Sequence, residues 1–378
     1  MHSWRPLPAL VASAALLLLG CSHGEPFGPA DHSTSDPFEP GITPVRLTYG
    51  GGHGPAWMPD GSSFIYSYAS SDHSNGSAPS DTCLGVLPAS GGQRTASICS
   101  RSPFEAETLD VYTQPAPAPD GDRIAFLRGL LDPVTSSGLT SLIVGPFDSL
   151  PEGTPLGNDR FPGAHGQVLG IGLLRWLDTD QLVFLGADDG TYSPCASCDP
   201  IVIRRWRDAY RRSVTGTTEA IPGSDFATSV AVASPTELYL TFANDGRVVR
   251  HDVNTGAEAV VATFDGTMAP RDADYANGRI ALVARGIITQ LVDDDGQPMQ
   301  GEDQGGELQI VNATTGAVTP LPSATLLFRR PRWSPDGTSL LAEGYPYQVV
   351  TVVPPSGMNT FQDTVVSSVS DIYRIQVP

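Results

Sequence analysis

The sequence contains no lysine. All 22 of its basic side chains are arginines, they face 41 acidic side chains, and the formal net charge is −19. A chain this acidic lacks the excess positive charge that attracts nucleic acid or an anionic membrane face, so neither is expected as a general partner. We interpret the missing lysine as a bias toward GC-rich codons and not as chemistry.

The sequence also has no stretch with a sustained helical period. Its 40 glycines and 34 prolines fall between short apolar runs, as turn residues do between strands, which predicts a turn-rich all-β protein. Removing residues 1–20 from the 378 leaves 358 residues, enough for one large all-β domain. Residues 21–41 are rich in Pro, Ser, Gly and Asp and are expected to form a flexible tether.

The first 20 residues are typical of a secretory signal. One positive charge at Arg5 precedes the apolar run 9–19, which is too short for a comfortable membrane span. The letters L-L-G-C that end at Cys21 resemble a bacterial lipobox, which implies that Cys21 becomes a lipidated first residue; an ordinary signal with a chance cysteine is the alternative. The residue after Cys21 is Ser22. An aspartate at this position would favour retention in the inner membrane, so we expect an outer-membrane lipoprotein that faces the periplasm.

One short unit recurs along the chain. It reads P-R-W-S-P-D-G at 331–337, P-A-W-M-P-D-G at 55–61 and P-A-P-A-P-D-G at 115–121, each time followed by an apolar run. Proline presets φ for a turn, aspartate bonds the backbone two residues on, and glycine adopts the left-handed conformation. The unit therefore predicts a strand, a tight turn and a second strand, in which the aspartates are structural turn residues and not catalysts: Asp60, Asp120 and Asp336.

Three weaker copies bring the count to six. The equivalent positions are Asp60, Asp120, Thr179, Thr236, Asn277 and Asp336, with differences of 60, 59, 57, 41 and 59 between their numbers. Several strands per repeat of this size predict the blades of a propeller. The chain finishes on a third blade strand at 371–377, and 42–49 supplies the fourth. We therefore expect a six-bladed β-propeller of four-stranded antiparallel blades over residues 42–378, closed by an N-terminal strand that removes the open sheet edge.

These W-S-P-D-G repeats, their number and the closure resemble the TolB-like β-propeller family, whose repeats are similar to WD repeats. The resemblance covers residues 42–378 and concerns the fold, since the same fold carries translocation-system proteins, peptidase gating domains and sugar or lactone enzymes. Members with the TolB role carry an α/β domain ahead of the propeller, for which the first 41 residues leave no room.

Strand directions predict where the loops emerge. In each blade the first-to-second and third-to-fourth turns lie on one face, and the longer connections lie on the other, where binding residues usually occur. The long insertions expected there are 70–82, 128–138, 187–199, 286–306 and 344–369. The candidate binding-face residues are His53, His165, Arg271, Asp272, Arg329 and Arg330. They either line a wet channel as ordinary polar residues or, with carboxylates, hold a metal as in lactonase-like propellers.

Four cysteines remain after Cys21, in a chain expected to enter an oxidising compartment. Cys83 and Cys99 lie symmetrically about the turn at 89–92, so we expect a disulfide across that hairpin. Cys195 and Cys198 form a C-x-x-C pair, for which a loop disulfide, a redox pair and half of a zinc site are the alternatives. We favour the loop disulfide, because unlike the zinc site and the redox pair it needs no further ligands or surrounding motif.

An acidic segment near residue 296 has some features of a calcium loop. Asp293, Asp295 and Glu302 fall at ligand positions, but Leu291 occupies the first position and no helices flank the segment. A solvated charged loop is the simpler interpretation, and no cofactor is expected.

Together these patterns favour a monomeric, non-enzymatic, lipid-anchored scaffold of the cell envelope. It would bind an envelope protein or a cell-wall-associated partner through its long-loop face. The alternative is a metal-dependent small-molecule or glycan-active enzyme with its site in the central channel. A metal bound by three or more protein ligands would favour that alternative.

Overall fold

The structure is a computed structural model. It describes residues 42, 44–69, 82–99, 109–131, 138–146, 154–158, 161–163, 166–168, 170–192, 201–265, 268–286, 288–292, 298–352, 361–367 and 369–378. Within these ranges all regular elements are β-strands. This part of the chain contains no helix with the length and hydrophobicity of a membrane span.

Six four-stranded antiparallel blades form a ring, as the repeats predict. The first strand of the described residues is β1 (Pro44–Arg46), which belongs to the last blade. Blade 1 contains β2 (His53–Trp57), β3 (Ser63–Ala69), β4 (Thr82–Pro88) and β5 (Ala96–Ile98). Blade 2 contains β6 (Leu109–Pro117), β7 (Arg123–Leu131), β8 (Gly138–Pro146) and β9 (Thr154–Asn158). A small hairpin, β10 (Phe161–Gly163) with β11 (Gly166–Val168), follows it.

The remaining blades have the same plan with additions. Blade 3 contains β12 (Gly170–Trp176), β13 (Gln181–Tyr192), β14 (Ile201–Ser213) and β15 (Thr218–Ala220). Blade 4 contains β16 (Ser229–Ser234), β17 (Glu237–Phe242), β18 (Arg247–Asp252) and β19 (Glu258–Thr263). Blade 5 contains β20 (Arg271–Ala276), β21 (Arg279–Ala284), β24 (Glu307–Asn312) and β25 (Val318–Leu321), with the hairpin β22 (Ile288–Val292) and β23 (Pro298–Asp303) inserted. Blade 6 contains β26 (Leu326–Trp333), β27 (Ser339–Val352), β29 (Asp371–Gln376) and β1, while β28 (Phe361–Val366) pairs with the extended part of β27.

The core is divided among the junctions between blades. Among the described residues there are six apolar clusters, and each joins residues of two successive blades. The second strand of a blade contacts a neighbouring blade on each of its faces, so it is apolar on both faces and does not alternate. Phe64, Ile65 and Tyr66 of β3 show this, since all three are fully buried. The stability of the ring therefore depends on contacts between blades as well as within them.

The last blade is completed by β1, which precedes blade 1 in the sequence. β1 pairs antiparallel with β29, in the register Pro44↔Ile375 to Arg46↔Tyr373. The guanidinium of Arg46 also forms an ion pair with Asp371. The sequence predicts a longer fourth strand, over 42–49, but Leu47 bonds Ile372 outside the ladder and the chain then turns toward blade 1.

Strand direction gives the ring two different faces. We call the face with the first-to-second and third-to-fourth turns the turn face, and the opposite one the loop face. Much of what the sequence suggests to be loop is strand: β13 and β14 pair as far as Tyr192↔Ile201, and β27 and β28 as far as Val352↔Phe361. An existing sheet extends readily, because new backbone hydrogen bonds need no apolar alternation once register is set. The loop face therefore carries raised hairpins.

The described cysteines form one disulfide. It joins Cys83 of β4 to Cys99, just after β5, with 4.4 Å between the Cα atoms. This is the bridge that the symmetric spacing about the turn predicts. Cys21, Cys195 and Cys198 lie outside the described residues.

Candidate functional site: the central channel and its two ends

The inner strands of five blades share a local distortion. Each has a register shift against the second strand and, within it, one residue with positive φ: Gly54, Gln114, Leu173, Asp272 and Arg330. Positive φ strains any residue that has a Cβ. Because the strain recurs at the equivalent position in four non-glycine residues, the bulge is a regular feature of this propeller. Bulges of this kind turn side chains to new directions and remove backbone N–H groups from the ladder.

Polar side chains of the preceding blade accept hydrogen bonds from the backbone N–H groups at these bulges. The N–H of Leu174 donates to Gln114 Oε1 at 3.3 Å, and the N–H of Arg330 donates to Asp272 Oδ2 at 3.1 Å. The N–H of Ala273 donates to the hydroxyl of Ser229 at 3.0 Å. The polar residues around the channel thus join each blade to the next, which explains their presence in an otherwise apolar ring.

Glu343 forms the most connected of these groups, at the loop-face end of the channel. Its carboxylate is fully buried and accepts hydrogen bonds from the N–H of Gly54 at 2.5 Å, Arg330 Nη1 at 2.8 Å and the hydroxyl of Tyr345 at 2.9 Å. His53 Nδ1 lies 3.9 Å away. Burial opposes ionisation, but Arg330 and His53 overcome it and hold the pKa of Glu343 well below its usual range.

The charge of Glu343 also shifts the pKa values of its neighbours. Burial, together with the charge of Glu343, raises the pKa of Tyr345 to about 12, so this hydroxyl stays a hydrogen-bond donor. The charge of Glu343 raises the pKa of Arg330. The cluster is therefore a fixed ion pair that joins blade 6 to blade 1.

The candidate binding-face residues separate into different environments. The side chain of His53 is 45% exposed, and its Nδ1 lies 3.0 Å from the hydroxyl of Ser370. Arg271 is buried and donates to the carbonyls of Ala269 and Gly305. Arg329 Nε lies 3.9 Å from Oδ2 of the buried Asp272. His165 lies outside the described residues.

The candidate calcium ligands are only partly in view. Asp293 and Asp295 lie outside the described residues, whereas Glu302 lies in β23, so this part of the acidic segment is strand and not loop. Within the described ranges, no three His, Cys, Asp or Glu side chains come together as a group that could hold a metal ion.

The repeated turn aspartates act on their own backbone. Asp60, Asp120 and Asp336 each accept a hydrogen bond from the N–H two residues on, at 3.0, 3.1 and 3.0 Å. The hydroxyls of Ser334 and Thr338 also donate to Asp336, and such bonds lower its pKa. These are the contacts of turn residues.

A cavity at the other end of the channel was not anticipated from the sequence. It has a volume of about 660 Å³ and is lined by residues of all six blades, at the ends of the inner strands and in the turns that follow. We call it the turn-face funnel. Its outer wall is mainly proline and aromatic: Pro59, Pro119, Trp176, Pro235, Tyr275 and Pro335.

The deeper part of the funnel is charged. Arg175, Asp274 and Arg332 each come directly before the aromatic residue of their repeat, one step further from the turn face. Arg175 Nε lies 3.6 Å from Asp274 Oδ1. Burial lowers the pKa of Arg175, and burial with the nearby charge of Arg175 lowers that of Arg332 to about 9. The signal in the sequence was a charged residue before the aromatic position in three repeats.

Fold and site together define a six-bladed β-propeller with a closed ion-pair cluster at one end of its channel and an open funnel at the other. No protein-family model matches the sequence, and no curated protein matches it.

Several solved propeller structures are similar. TolB from Acinetobacter baumannii is 16% identical, with a TM-score of 0.43 over 78% of this chain and 60% of that one. Puromycin hydrolase is 13% identical, with a TM-score of 0.46 over 84% of this chain and 54% of that one. The PQQ-bound aldose sugar dehydrogenase from Streptomyces coelicolor is 12% identical, with a TM-score of 0.48 over 89% and 97%. This chain thus spans little more than half the length of the first two. Likeness at this level carries no inference about what the chain binds or catalyses.

Proposed function

We propose that this chain is a lipid-anchored binding protein of the cell envelope, held to the outer membrane through Cys21, which engages a protein or cell-wall-associated partner with its loop face. The observation that carries the proposal is the concentration of extended hairpins on that face. β13, β14 and β27 contain 12, 13 and 14 residues, whereas β17 and β18 of the plain blade 4 contain six each. Six extra residues of strand reach about 20 Å beyond the ring.

These hairpins suit recognition of a large partner. They rise from a ring whose blades are joined by buried clusters, and variable elements on a rigid scaffold are where binding usually occurs. Val365 of β28 and Val369, between β28 and β29, are 47% and 51% exposed. Apolar side chains exposed on a raised edge supply contact area that a partner can cover.

The channel carboxylates support binding over channel chemistry. Asp272 accepts a backbone N–H and faces Arg329, and Glu343 is held by Arg330, Tyr345 and Gly54. Groups engaged in this way fix the blades to one another. We therefore expect a scaffold and not a metal-dependent enzyme.

Site-specific photo-cross-linking tests the binding face. A photoreactive amino acid at Val365 is expected to capture an envelope component in intact cells. The matched control is Val318 of β25, an outer-strand valine that is 40% exposed on the side of blade 5. Equal capture from both positions, or capture from Val318 alone, would contradict the assignment of the loop face.

Two substitutions test the anchor, which rests on the sequence alone because Cys21 and Ser22 lie outside the described residues. Cys21→Ala is expected to abolish labelling with a fatty acid and to move the protein out of the detergent phase. Ser22→Asp is expected to keep the lipid and to shift the protein from outer-membrane to inner-membrane fractions. The Cys83–Cys99 disulfide agrees with an exported protein, since disulfides persist in oxidising compartments. An unlabelled wild-type protein would overturn the anchor.

A further inference from the structure

The floor of the turn-face funnel carries more positive than negative charge. Asp178 also lines the funnel, in the turn after β12, where its Oδ1 accepts the N–H groups of Asp180 and Gln181, and Asp274 is the carboxylate at the floor beside Arg175 and Arg332. Its Oδ1 lies 3.6 Å from Arg175 Nε, and its Oδ2 accepts the N–H of Trp333 at 2.8 Å. One carboxylate balances one of the two guanidinium groups, so one positive charge is left over.

The other acidic groups near Arg332 already have their own hydrogen-bond and ion-pair partners. Asp272 accepts the N–H of Arg330 and faces Arg329, and Glu343 forms the ion pair with Arg330. In a chain of net charge −19, a buried site with an excess of positive charge is a local exception. It favours an anion in the funnel.

Two hydrogen-bond donors among the lining residues are unused. Arg175 Nη1 donates to the carbonyl of Leu174 and Arg175 Nε faces Asp274, but Arg175 Nη2 is buried with no hydrogen-bond acceptor among the described residues, and the same holds for Trp333 Nε1. The equivalent indole groups of Trp57 and Trp176 do donate, to the carbonyls of Arg332 and Ala116 at 3.1 and 2.7 Å. A buried donor without an acceptor is costly, so each of these N–H groups gains from a ligand oxygen.

We propose that the turn-face funnel binds a small organic monocarboxylate, with the carboxylate on Arg175 and Arg332 and an apolar body against the tryptophan and proline rings above them. A carboxylate presents two oxygens in one plane, which matches the fork of a guanidinium. The charge also fits, because a monoanion neutralises the single excess charge, whereas a phosphate dianion would leave a buried negative charge unpaired.

The size and wall of the funnel agree with this ligand. A volume of about 660 Å³ lies within the range of small-molecule sites, which are mostly apolar with a few fixed polar groups. Trp57 and Pro59 of blade 1 and Pro335 of blade 6 supply flat apolar surface next to the charged floor. The funnel lies on the face opposite the proposed partner surface, so its test does not depend on that partner.

The test compares an acid with its own amide on the purified full-length protein. We expect 3-phenylpropionate to bind, by calorimetry and by a change in tryptophan fluorescence, and 3-phenylpropionamide to bind at least about tenfold more weakly, because it lacks the charge. The comparison requires no substitution, so it stays decisive if a variant fails to fold. A short peptide that ends in a free phenylalanine carboxylate, and its C-terminal amide, are titrated in parallel. Tighter binding of the free acid or of the peptide acid identifies the source of the carboxylate.

Arginine variants locate the site. Arg332→Gln and Arg175→Gln are each expected to weaken binding of the acid by about tenfold or more and to leave binding of the amide unchanged. Arg250→Gln on β18, whose side chain is 57% exposed outside the funnel, is the matched control and is expected to bind as the wild type does. The proposal is overturned by equal binding of acid and amide, by no binding up to about 10 mM, or by an acid affinity that folded Arg332→Gln retains.

Discussion

Glu343→Gln is expected to lower the free energy of unfolding by about 3–5 kcal/mol at pH 7, the usual cost of removing one partner of a buried ion pair. The substitution keeps the size of the side chain, so packing is preserved. It removes the charge opposite Arg330 Nη1, which lies 2.8 Å from the carboxylate. The amide must also accept from Gly54 and Tyr345 with one oxygen in place of two. Denaturant unfolding measures the change.

The effect has a defined pH dependence. The pKa of folded Glu343 lies well below its usual range, and that of the unfolded chain is about 4.3. The carboxylate therefore contributes its full stability above the unfolded value and loses it as the pH falls toward the folded pKa. The difference between wild type and Glu343→Gln should shrink as the pH falls below about pH 4.

Glu237→Gln provides the control for the same chemical change. Its carboxylate is 39% exposed and lies 3.8 Å from Arg250, so its loss is expected to cost less than about 1 kcal/mol. If Glu343→Gln proved as mild as Glu237→Gln, the cluster would not be the fixed junction between blades 6 and 1 that its geometry indicates.

Gly316→Ala is expected to lower the free energy of unfolding by about 2–5 kcal/mol. Gly316 lies in the third-to-fourth turn of blade 5 with φ +71°, and a Cβ there would lie 2.2 Å from the carbonyl oxygen of Val261 in blade 4. Left-handed conformation penalises alanine by about 1–2 kcal/mol. Displacing a packed backbone adds about 1–3 kcal/mol. Thermal and denaturant unfolding of the variant would both report the loss.

Gly121→Ala separates these two causes. Gly121 also sits in a tight turn, with φ +80°, but nothing lies within 4 Å of the position of an added Cβ. It should therefore show only the conformational part, about 1–2 kcal/mol. Equal losses at the two glycines would mean that the backbone of blade 4 shifts to admit the added Cβ at no cost, which would contradict the prediction.

Local chemistry made the blades predictable from the sequence. The turn at Asp336 depends on hydrogen bonds between residues no more than five positions apart, so a few residues of sequence suffice to place it. The hairpin disulfide was predictable for the same reason, because Cys83 and Cys99 are symmetric about one turn. Strand extensions were not predictable. β13 continues through Ala187–Tyr192 because β14 pairs with it, although those residues show no strand pattern of their own.

The six propeller blades are encoded locally, because each repeat folds from contacts within a few dozen residues and carries its own turn signal. The position of the charged funnel floor, in contrast, depends on how the blades assemble. Arg175, Asp274 and Arg332 come from blades 3, 5 and 6, and they share one funnel because the ring brings the ends of inner strands together. Bulges in those strands set which side chains turn toward the axis, and no local pattern specifies that direction.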